Sequence, residues 1–249
     1  GYISAAGQID KVGSNTLIFA GDGGALSTQL NLGTNGLYIR AGNVKLQGGA
    51  MFSSGVGTGN YVAPGSTLTL DNSATALSNR LGGRGLWLNG NLVIKGNAIS
   101  SVLEQLVGNN TPNLAFGNGT TAGFSTITLD ASTGGAVTLQ VVGANTAVFN
   151  RQANTFGTLL VRGDNLGFNK SATFMQANTA TLTGSDGGAS LTWGLIGQNG
   201  VSFGGGGITN TIIMPWIVVD PSGTGSGVGF HRFFISPSHG PGSPGKPEP

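Results

Sequence analysis

The feature that most constrains the fold of this chain is a recurring alternation of apolar residues with Thr, Ser, Asn or Gly in short runs. Such period-2 alternation marks strands with one buried face, and the β-branched Thr, Val and Ile suit a pleated surface. The sequence therefore predicts an all-β protein. The clearest runs are 16–19, 36–39, 43–46, 66–70, 86–88, 92–94, 125–129, 137–141 and 158–161.

Glycine-rich segments separate these runs. The chain contains 47 Gly among 249 residues, and Gly and Asn tolerate the positive φ that a sharp corner requires. Strands recur at two or three to a unit of roughly 20 to 30 residues, which is the spacing of a parallel β-solenoid with Gly/Asn-rich corners. Predicted corners lie at 21–24, 82–85, 117–119 and 204–207.

A β-sandwich or barrel would also give short strands at regular spacing. Three features favour the solenoid. The chain lacks tight Asn-Gly hairpins between strands of matched length, and Asn recurs at strand ends, where stacked amides can form ladders. Its 11 basic and 9 acidic residues are also too few for an ordinary solvated sandwich face.

Composition excludes several classes of protein. Gly interrupts every candidate helical window, so a helical bundle is excluded. A net charge of +2 without a Lys/Arg cluster predicts no nucleic-acid partner. The absence of Cys removes disulfides and thiol chemistry. The longest apolar run, 212–219, contains Pro215 and is too short for a spanning helix, so no membrane span is predicted.

Two segments depart from the strand pattern. Residues 98–107 carry apolar residues at helical spacing and precede Gly108, which predicts one short helix. Residues 236–249 have the Pro/Gly-rich composition of an extended tail. We therefore divide the chain into a solenoid domain, 1–235, and a tail, 236–249. Because Gly1 is not preceded by Met or a signal peptide, we expect a cleaved product or a segment of something longer.

No constellation of catalytic residues is apparent. A Gly-x-Ser-x-Gly nucleophile turn does not occur. His231 and His239 are the two histidines, and neither has a partner at i, i+4 for a metal. We predict no catalytic, cofactor-binding or metal-binding residue, no cofactor, and no enzymatic activity.

The carboxylates are scattered singly along the chain. A glycosidase needs two on one face within about 5 to 10 Å, and Ca²⁺ needs a cluster of acidic oxygens. Stacking could bring Asp71 and Asp130 together, since both follow a Thr-Leu strand. Most of the others are better explained as turn formers, among them Asp22 and Asp186, which each precede Gly-Gly. The nine are Asp10, Asp22, Asp71, Glu104, Asp130, Asp164, Asp186, Asp220 and Glu248.

Two further patterns have ordinary explanations. Arg162-Gly163-Asp164 spells the integrin-binding tripeptide, but Gly163-Asp164 is better explained as a turn between coils. Trp87, Trp193 and Trp216 lie inside apolar strand-like runs, which favours core or inter-coil packing over a sugar-stacking platform.

The run Thr-Leu-Thr-Leu-Asp-Asn-Ser-Ala-Thr-Ala-Leu-Ser-Asn-Arg at 67–80, followed by Gly-Leu-Trp-Leu-Asn-Gly-Asn at 85–91, resembles the autotransporter-associated β-strand repeat proteins of Gram-negative bacteria. The I-x-K-x-G-x-x-T-L pattern at 9–17 and the run at 158–167 are similar to further repeats of that family. The resemblance covers about residues 5–220. It implies a right-handed β-helix that is secreted or displayed on the cell surface, often within a very large protein, and it does not imply an enzyme.

The ends of the strand pattern predict self-association. A strand pattern begins by Ile3, and the other end finishes in apolar residues 233–235 without a polar cap. Uncapped solenoid ends expose edges that can accept a strand from another copy, and repeated heterologous contacts build a filament. We predict a non-enzymatic structural or adhesive subunit of an extracellular or cell-surface fibre or sheath that forms a homopolymer.

Two alternatives remain open at this point. A secreted β-helix that binds or cleaves carbohydrate would contact a surface glycan or host matrix through aromatics and carboxylates gathered on one face. A passive spacer within a giant surface protein would differ from the structural subunit only in failing to polymerise.

Overall fold

The structure is a computed structural model that describes residues 3–4, 7–21, 28–32, 36–53, 59–107, 114–117, 123–131, 134–142, 149–151, 157–163, 172–177, 181–183, 190–192 and 217–220. Within these ranges every helix or strand assigned is a β-strand. Every strand pairing is parallel except that of the two strands at 181–183 and 190–192. The prediction of an all-β protein built of parallel sheets is confirmed.

The strands form three faces. The first face contains, in spatial order, β2 (Ile9–Lys11), β5 (Leu37–Ile39), β8 (Asn60–Val62), β10 (Leu86–Leu88), β13 (Leu114–Phe116), β16 (Phe149–Arg151), β19 (Thr181–Thr183) and β20 (Ser190–Thr192). The second face contains β3 (Thr16–Gly21), β6 (Asn43–Gly48), β9 (Thr67–Asp71), β11 (Asn91–Lys95), β14 (Phe124–Asp130), β17 (Thr158–Gly163) and β21 (Ile217–Asp220).

The third face consists of two separate sheets. One contains β1 (Ile3–Ser4), β4 (Thr28–Asn31) and β7 (Ala50–Phe52), and the other contains β12 (Val102–Val107), β15 (Val137–Val142) and β18 (Ala172–Ala177). Along the chain the strands visit the first, second and third faces in turn, except that no strand of the third face follows β9 and that β20 follows β19 on the first face. Most strands pair in parallel with the strand one coil later, so the coils stack as they do in a parallel β-solenoid.

The core consists of columns of apolar residues that run along the stack. On the second face one column joins Val44, Leu68, Leu92, Ile127 and Val161, and each of these side chains is fully buried. Alternate residues of the same strands face outward, as the period-2 pattern requires. Burying each such side chain contributes about 1.5–3 kcal/mol, so these columns supply most of the favourable free energy of folding.

The helix predicted over 98–107 is wrong. Residues 102–107 form β12, which pairs in parallel with β15. Val102, Glu104 and Leu106 are its buried positions, so a charged residue occupies an inward site. That single polar residue disguises the period-2 alternation, and the remaining apolar residues happen to fit a helical period.

Several other sequence predictions can be placed. Gly82 and Gly83 have positive φ, which agrees with the predicted corner at 82–85. Gly117 also has positive φ, but the other two residues of the predicted corner at 117–119 lie outside the described residues. Residues 22–24 and 204–207 lie outside the described residues, as does the whole of the predicted tail, 236–249. The boundary between solenoid and tail stays a prediction.

Candidate functional site: the edges of the second face

Strand β3 forms one edge of the second face, with β6 as its neighbour. Its side chains are less buried than those of the coils that follow. Leu17 and Phe19 pack only partly against the core, and Ile18 on the outer side is 51% exposed. The corresponding inward residues of the next coil, Val44 and Leu46, are fully buried. The apolar interior is therefore partly open to solvent at this end of the second face.

The backbone of β3 presents hydrogen-bonding groups on its open side. The Asn43 N–H donates to the Asn15 carbonyl at 3.3 Å, and the Gly49 N–H donates to the Gly21 carbonyl at 3.2 Å. Residues 15, 17, 19 and 21 therefore point their backbone groups toward β6, because alternate residues of a strand point to opposite sides. The groups of Thr16, Ile18 and Ala20 point away from it. No strand among the described residues pairs with them.

Strand β21 forms the opposite edge of the same face. It pairs with β17 in parallel, with Val219 opposite Val161 and Val218 opposite Leu160. The Thr158 N–H donates to the Gly123 carbonyl at 3.1 Å. This bond points the backbone groups of Thr158 toward β14, so those of Leu159 and Val161 point toward β21. Their bonding partners in β21 are the groups of Val218 and Asp220, and the groups of Ile217 and Val219 therefore point away from β17. In the described part of the chain, no strand lies beyond β21.

The third face is interrupted after β9, in the third coil if the coils are counted from β2. Residues 78–83 lie there in place of a strand. Asn79 has a φ of 56° there, which is the left-handed region. The Glu104 carboxylate reaches across from β12: Oε2 accepts from the Arg80 N–H at 2.8 Å and Oε1 from the Leu81 N–H at 3.0 Å. A side chain thus completes hydrogen bonding that a strand would supply elsewhere.

The Arg80 side chain is fully buried beside this carboxylate. Its guanidinium donates to Asn72 Oδ1 at 2.7 Å. It also donates to three carbonyls, at 2.6–2.9 Å, those of Ala50, Gly48 and Thr75. Burial lowers the pKa of Arg80, while Glu104 and Asp71 oppose that shift. Burial raises the pKa of Glu104 to about 7, against the lowering effect of the Leu81 and Arg80 amides and the Arg80 charge.

Sequence reasoning placed neither Arg80 nor Glu104 in the interior. The sequence does contain an indication for Glu104, because it lies two residues after Val102 and two residues before Leu106, at the inward position of an alternating strand. Nothing in the sequence indicates Arg80, because it lies outside any alternating run.

Asp71 and Asp130 share a column on the second face, but Lys95 lies between them in the register. Two coil spacings separate the acids, about 10 Å. Asp71 contacts Lys45 Nζ at 2.5 Å and accepts from Ser73 Oγ at 2.6 Å. Burial acts to raise its pKa, but the bonds from Lys45 and Ser73 outweigh burial and lower it to about 2. Asp71 is therefore an ionised carboxylate that forms a turn with Ser73. It lies two coils away from Asp130.

Trp87 lies on the outer side of the first face and not in the core. The register aligns it with Tyr61 and Tyr38 of the two preceding coils, and all three are half-buried. We call these three side chains the aromatic row. The tyrosine ring centroids are 5.7 Å apart with planes tilted by 32°, and the Arg40 guanidinium lies 5.5 Å from the Tyr38 centroid. Asp71 and Asp130 are on a different face.

The remaining sequence candidates divide between strands and residues outside the described ranges. Arg162 and Gly163 are the last two residues of β17, and Asp164, the other residue of the predicted Gly163-Asp164 turn, lies outside the described residues. Asp10 pairs with Arg40 at 2.7 Å on the exposed surface. The residues outside the described ranges are Asp22, Asp164, Asp186, Trp193, Trp216, His231, residues 233–235, His239 and Glu248.

Across the described ranges, no group of three or more His, Cys, Asp or Glu side chains is close enough to hold a metal ion. The same ranges contain no helix with the length and hydropathy of a membrane span. Comparison with family models, curated proteins and solved structures finds no match to this chain.

Proposed function

We propose that this protein is a non-enzymatic structural subunit of an extracellular or bacterial cell-surface fibre or sheath, and that its copies join through the edges of a right-handed β-solenoid. The observation that carries the proposal is the open edge of β3. Three residues there direct backbone N–H and C=O groups away from β6, above an interior that Leu17 and Phe19 close only partly.

A strand added at this edge would pair the open backbone groups of β3 and would also cover the partly exposed Leu17 and Phe19. Each backbone hydrogen bond formed contributes about 0.5–1.5 kcal/mol net, and covering the partly exposed Leu17 and Phe19 adds to it in proportion to the apolar area removed from water. The low charge of the chain also limits repulsion between copies. The extracellular setting is the part of the proposal supported by the resemblance of residues 67–91 to surface proteins.

The edge can be tested by removing one N–H. Ile18→Pro deletes an amide that faces the open side, where a strand tolerates proline because no internal ladder bond is lost. Ile18→Thr is the matched control, since it keeps the amide and a β-branched outer side chain. We expect negative-stain electron microscopy to show fibres for the wild type and for Ile18→Thr, and single particles for Ile18→Pro with an unchanged circular dichroism spectrum.

Two results would contradict the proposal. One is a wild-type protein that stays monodisperse in light scattering across salt and pH, which is the behaviour of a passive spacer. The other is an Ile18→Pro variant that keeps its fold and still forms fibres, which would place the contact elsewhere.

A second candidate function is binding of a linear carbohydrate on the aromatic row. Its support is the alignment of Tyr38, Tyr61 and Trp87 on one outward face, where aromatic side chains with a polar tip suit sugar contacts. Tryptophan fluorescence titrated with linear polysaccharides tests it. Saturable quenching that Tyr61→Ala abolishes would favour this candidate, provided that Phe124→Ala, which changes an exposed aromatic residue of the second face, retains it.

A further inference from the structure

We infer that copies of this chain assemble head to tail through the second face: β21 of one copy adds to β3 of the next as a parallel strand, with Val219 opposite Leu17. This inference rests on the proposed function and specifies which strands meet and in what register. Its occupant is a second copy of this chain.

The backbone groups at the two edges are complementary. Throughout the second face, outward-facing residues direct their N–H and C=O to the preceding coil and inward-facing residues direct theirs to the following coil. At β3 the open groups belong to Thr16, Ile18 and Ala20 and point toward the preceding coil. At β21 they belong to the backbone of Ile217 and Val219 and point toward the following coil. In the inferred register, the Thr16 and Ile18 amides donate to the carbonyls of Ile217 and Val219 of the preceding copy. The junction repeats the bonding between successive coils.

The side-chain columns select this register. The column through Leu17, followed from one Cα partner to the next, is apolar in all seven described strands of the face: Leu17, Val44, Leu68, Leu92, Ile127, Val161 and Val219. Placing Val219 opposite Leu17 continues the column into the next copy. A slip by one residue would exchange the inner and outer faces of the strand and so break this column.

The strand directions of the second face also allow its sheet to continue from one copy into the next. It has a parallel strand at both described edges. The first face instead finishes with β20, which is antiparallel to β19 and breaks the repeat. Joining two β3 edges would require an antiparallel pairing that no coil of the second face uses. A head-to-tail contact is heterologous and does not close, so it extends into a filament.

Engineered cysteines test the register directly, because the chain has no Cys of its own. The double variant Thr16→Cys/Val218→Cys places two thiols opposite each other at the junction, within the Cα separation of about 4.4–6.8 Å that a disulfide needs. The same two positions cannot bridge within one chain, since the strands between them set the edges about 29 Å apart. We expect oxidation to give a ladder of covalent multimers on a reducing-sensitive gel.

Three controls distinguish the alternatives. Ile18→Cys/Val218→Cys shifts one thiol by two residues, about 7 Å along the strand, and should give less than a tenth of the cross-linked product. Thr16→Cys alone should stay monomeric on the gel, and a covalent dimer would show that two β3 edges meet. An equal mixture of the two single variants should give a heterodimer.

The outcomes separate this inference from the proposed function. Fibres in the electron microscope without the Thr16–Val218 cross-link, or with the shifted pair cross-linking better, would overturn the register and leave assembly standing. A wild-type chain that forms no fibres and a double variant that forms no multimers would overturn both.

Discussion

Glu104 Oε2 accepts a hydrogen bond from the backbone N–H of Arg80 at 2.8 Å. Through this bond a side chain of β12, in the fourth coil, supplies an acceptor that a neighbouring strand would otherwise provide to the strandless segment of the third coil. The interruption of the third face is therefore compensated by Glu104 and Arg80, two buried side chains whose hydrogen bonds reach across coils. The pair is sensitive to substitution and to pH, and it gives several expectations that can be measured on dilute protein.

Glu104 is expected to make stability fall as pH rises. Its pKa is about 7 in the folded protein against 4.5 in a model peptide, so its contribution is fully present below about pH 4.5 and declines as pH rises through 7. The difference corresponds to about 3 kcal/mol. Urea unfolding of the wild type and Glu104→Gln between pH 4.5 and 8 measures it. A Glu104→Gln curve with the same slope as the wild type over this interval would count against the assignment.

Arg80→Met should be strongly destabilising. The change removes four side-chain hydrogen bonds and leaves Glu104 buried without its neighbouring cation. Each buried acceptor that is left without its donor costs about 1–3 kcal/mol. Arg40→Met is the matched control, because Arg40 makes an exposed ion pair with Asp10 and such pairs contribute about 0–1 kcal/mol. Equal losses from the two substitutions in urea unfolding would contradict the role of burial.

Asp71→Asn should destabilise the protein at neutral pH and not in strong acid. The pKa of Asp71 is lowered from 3.8 to about 2. Its stabilisation, about 2 kcal/mol, is present above pH 3.8 and is lost as pH falls through 2. Thermal unfolding at pH 7 and pH 2 compares the two proteins. Asp10→Asn, at an exposed ion pair, should show little difference at either pH.

Gly42 and Gly65 form a matched pair for testing the tight corners. Both have a φ of +75°, but a Cβ at Gly42 would lie 2.5 Å from the Gly13 carbonyl oxygen of the previous coil, whereas nothing lies within 4 Å of one at Gly65. Gly65→Ala should cost about 1–2 kcal/mol for the left-handed conformation alone. Gly42→Ala should cost clearly more. Equal shifts in denaturation midpoint would mean that the corner relaxes without penalty.

The strands that could be predicted from sequence are those in which alternation is unbroken. Residues 66–70 and 92–94 alternate regularly, and both fall in strands of the second face. Alternation reports only which side of a strand is buried, so it could predict neither the interrupted third coil nor its Arg80–Glu104 pair. Those depend on which residues meet across coils, about 25 positions apart in the chain.

The same limit applies to the candidate sites. Stacking does put Asp71 and Asp130 in one column, but it does not bring them together, because Lys95 lies between them and no sequence pattern indicated that. Trp87 looked like a packing residue within Leu-Trp-Leu, and the register instead aligns it with two tyrosines on the outer side. The sequence pattern predicted uncapped ends at Ile3 and at residues 233–235. Ile3 lies in β1, which pairs with β4, and residues 233–235 lie outside the described residues, so the open edge of β3 is a different feature from the one predicted.

The segment 78–83 also bears on how the protein responds to mechanical load. Tension along the stack pulls directly on the hydrogen bonds between coils. Between the third and fourth coils, backbone hydrogen bonds between paired strands resist the tension on the first two faces. On the third face, part of the resistance comes from the hydrogen bonds of the Glu104 carboxylate. We expect stretching to begin at this joint, so a fibre of such subunits would extend by a fixed increment per copy before it ruptured.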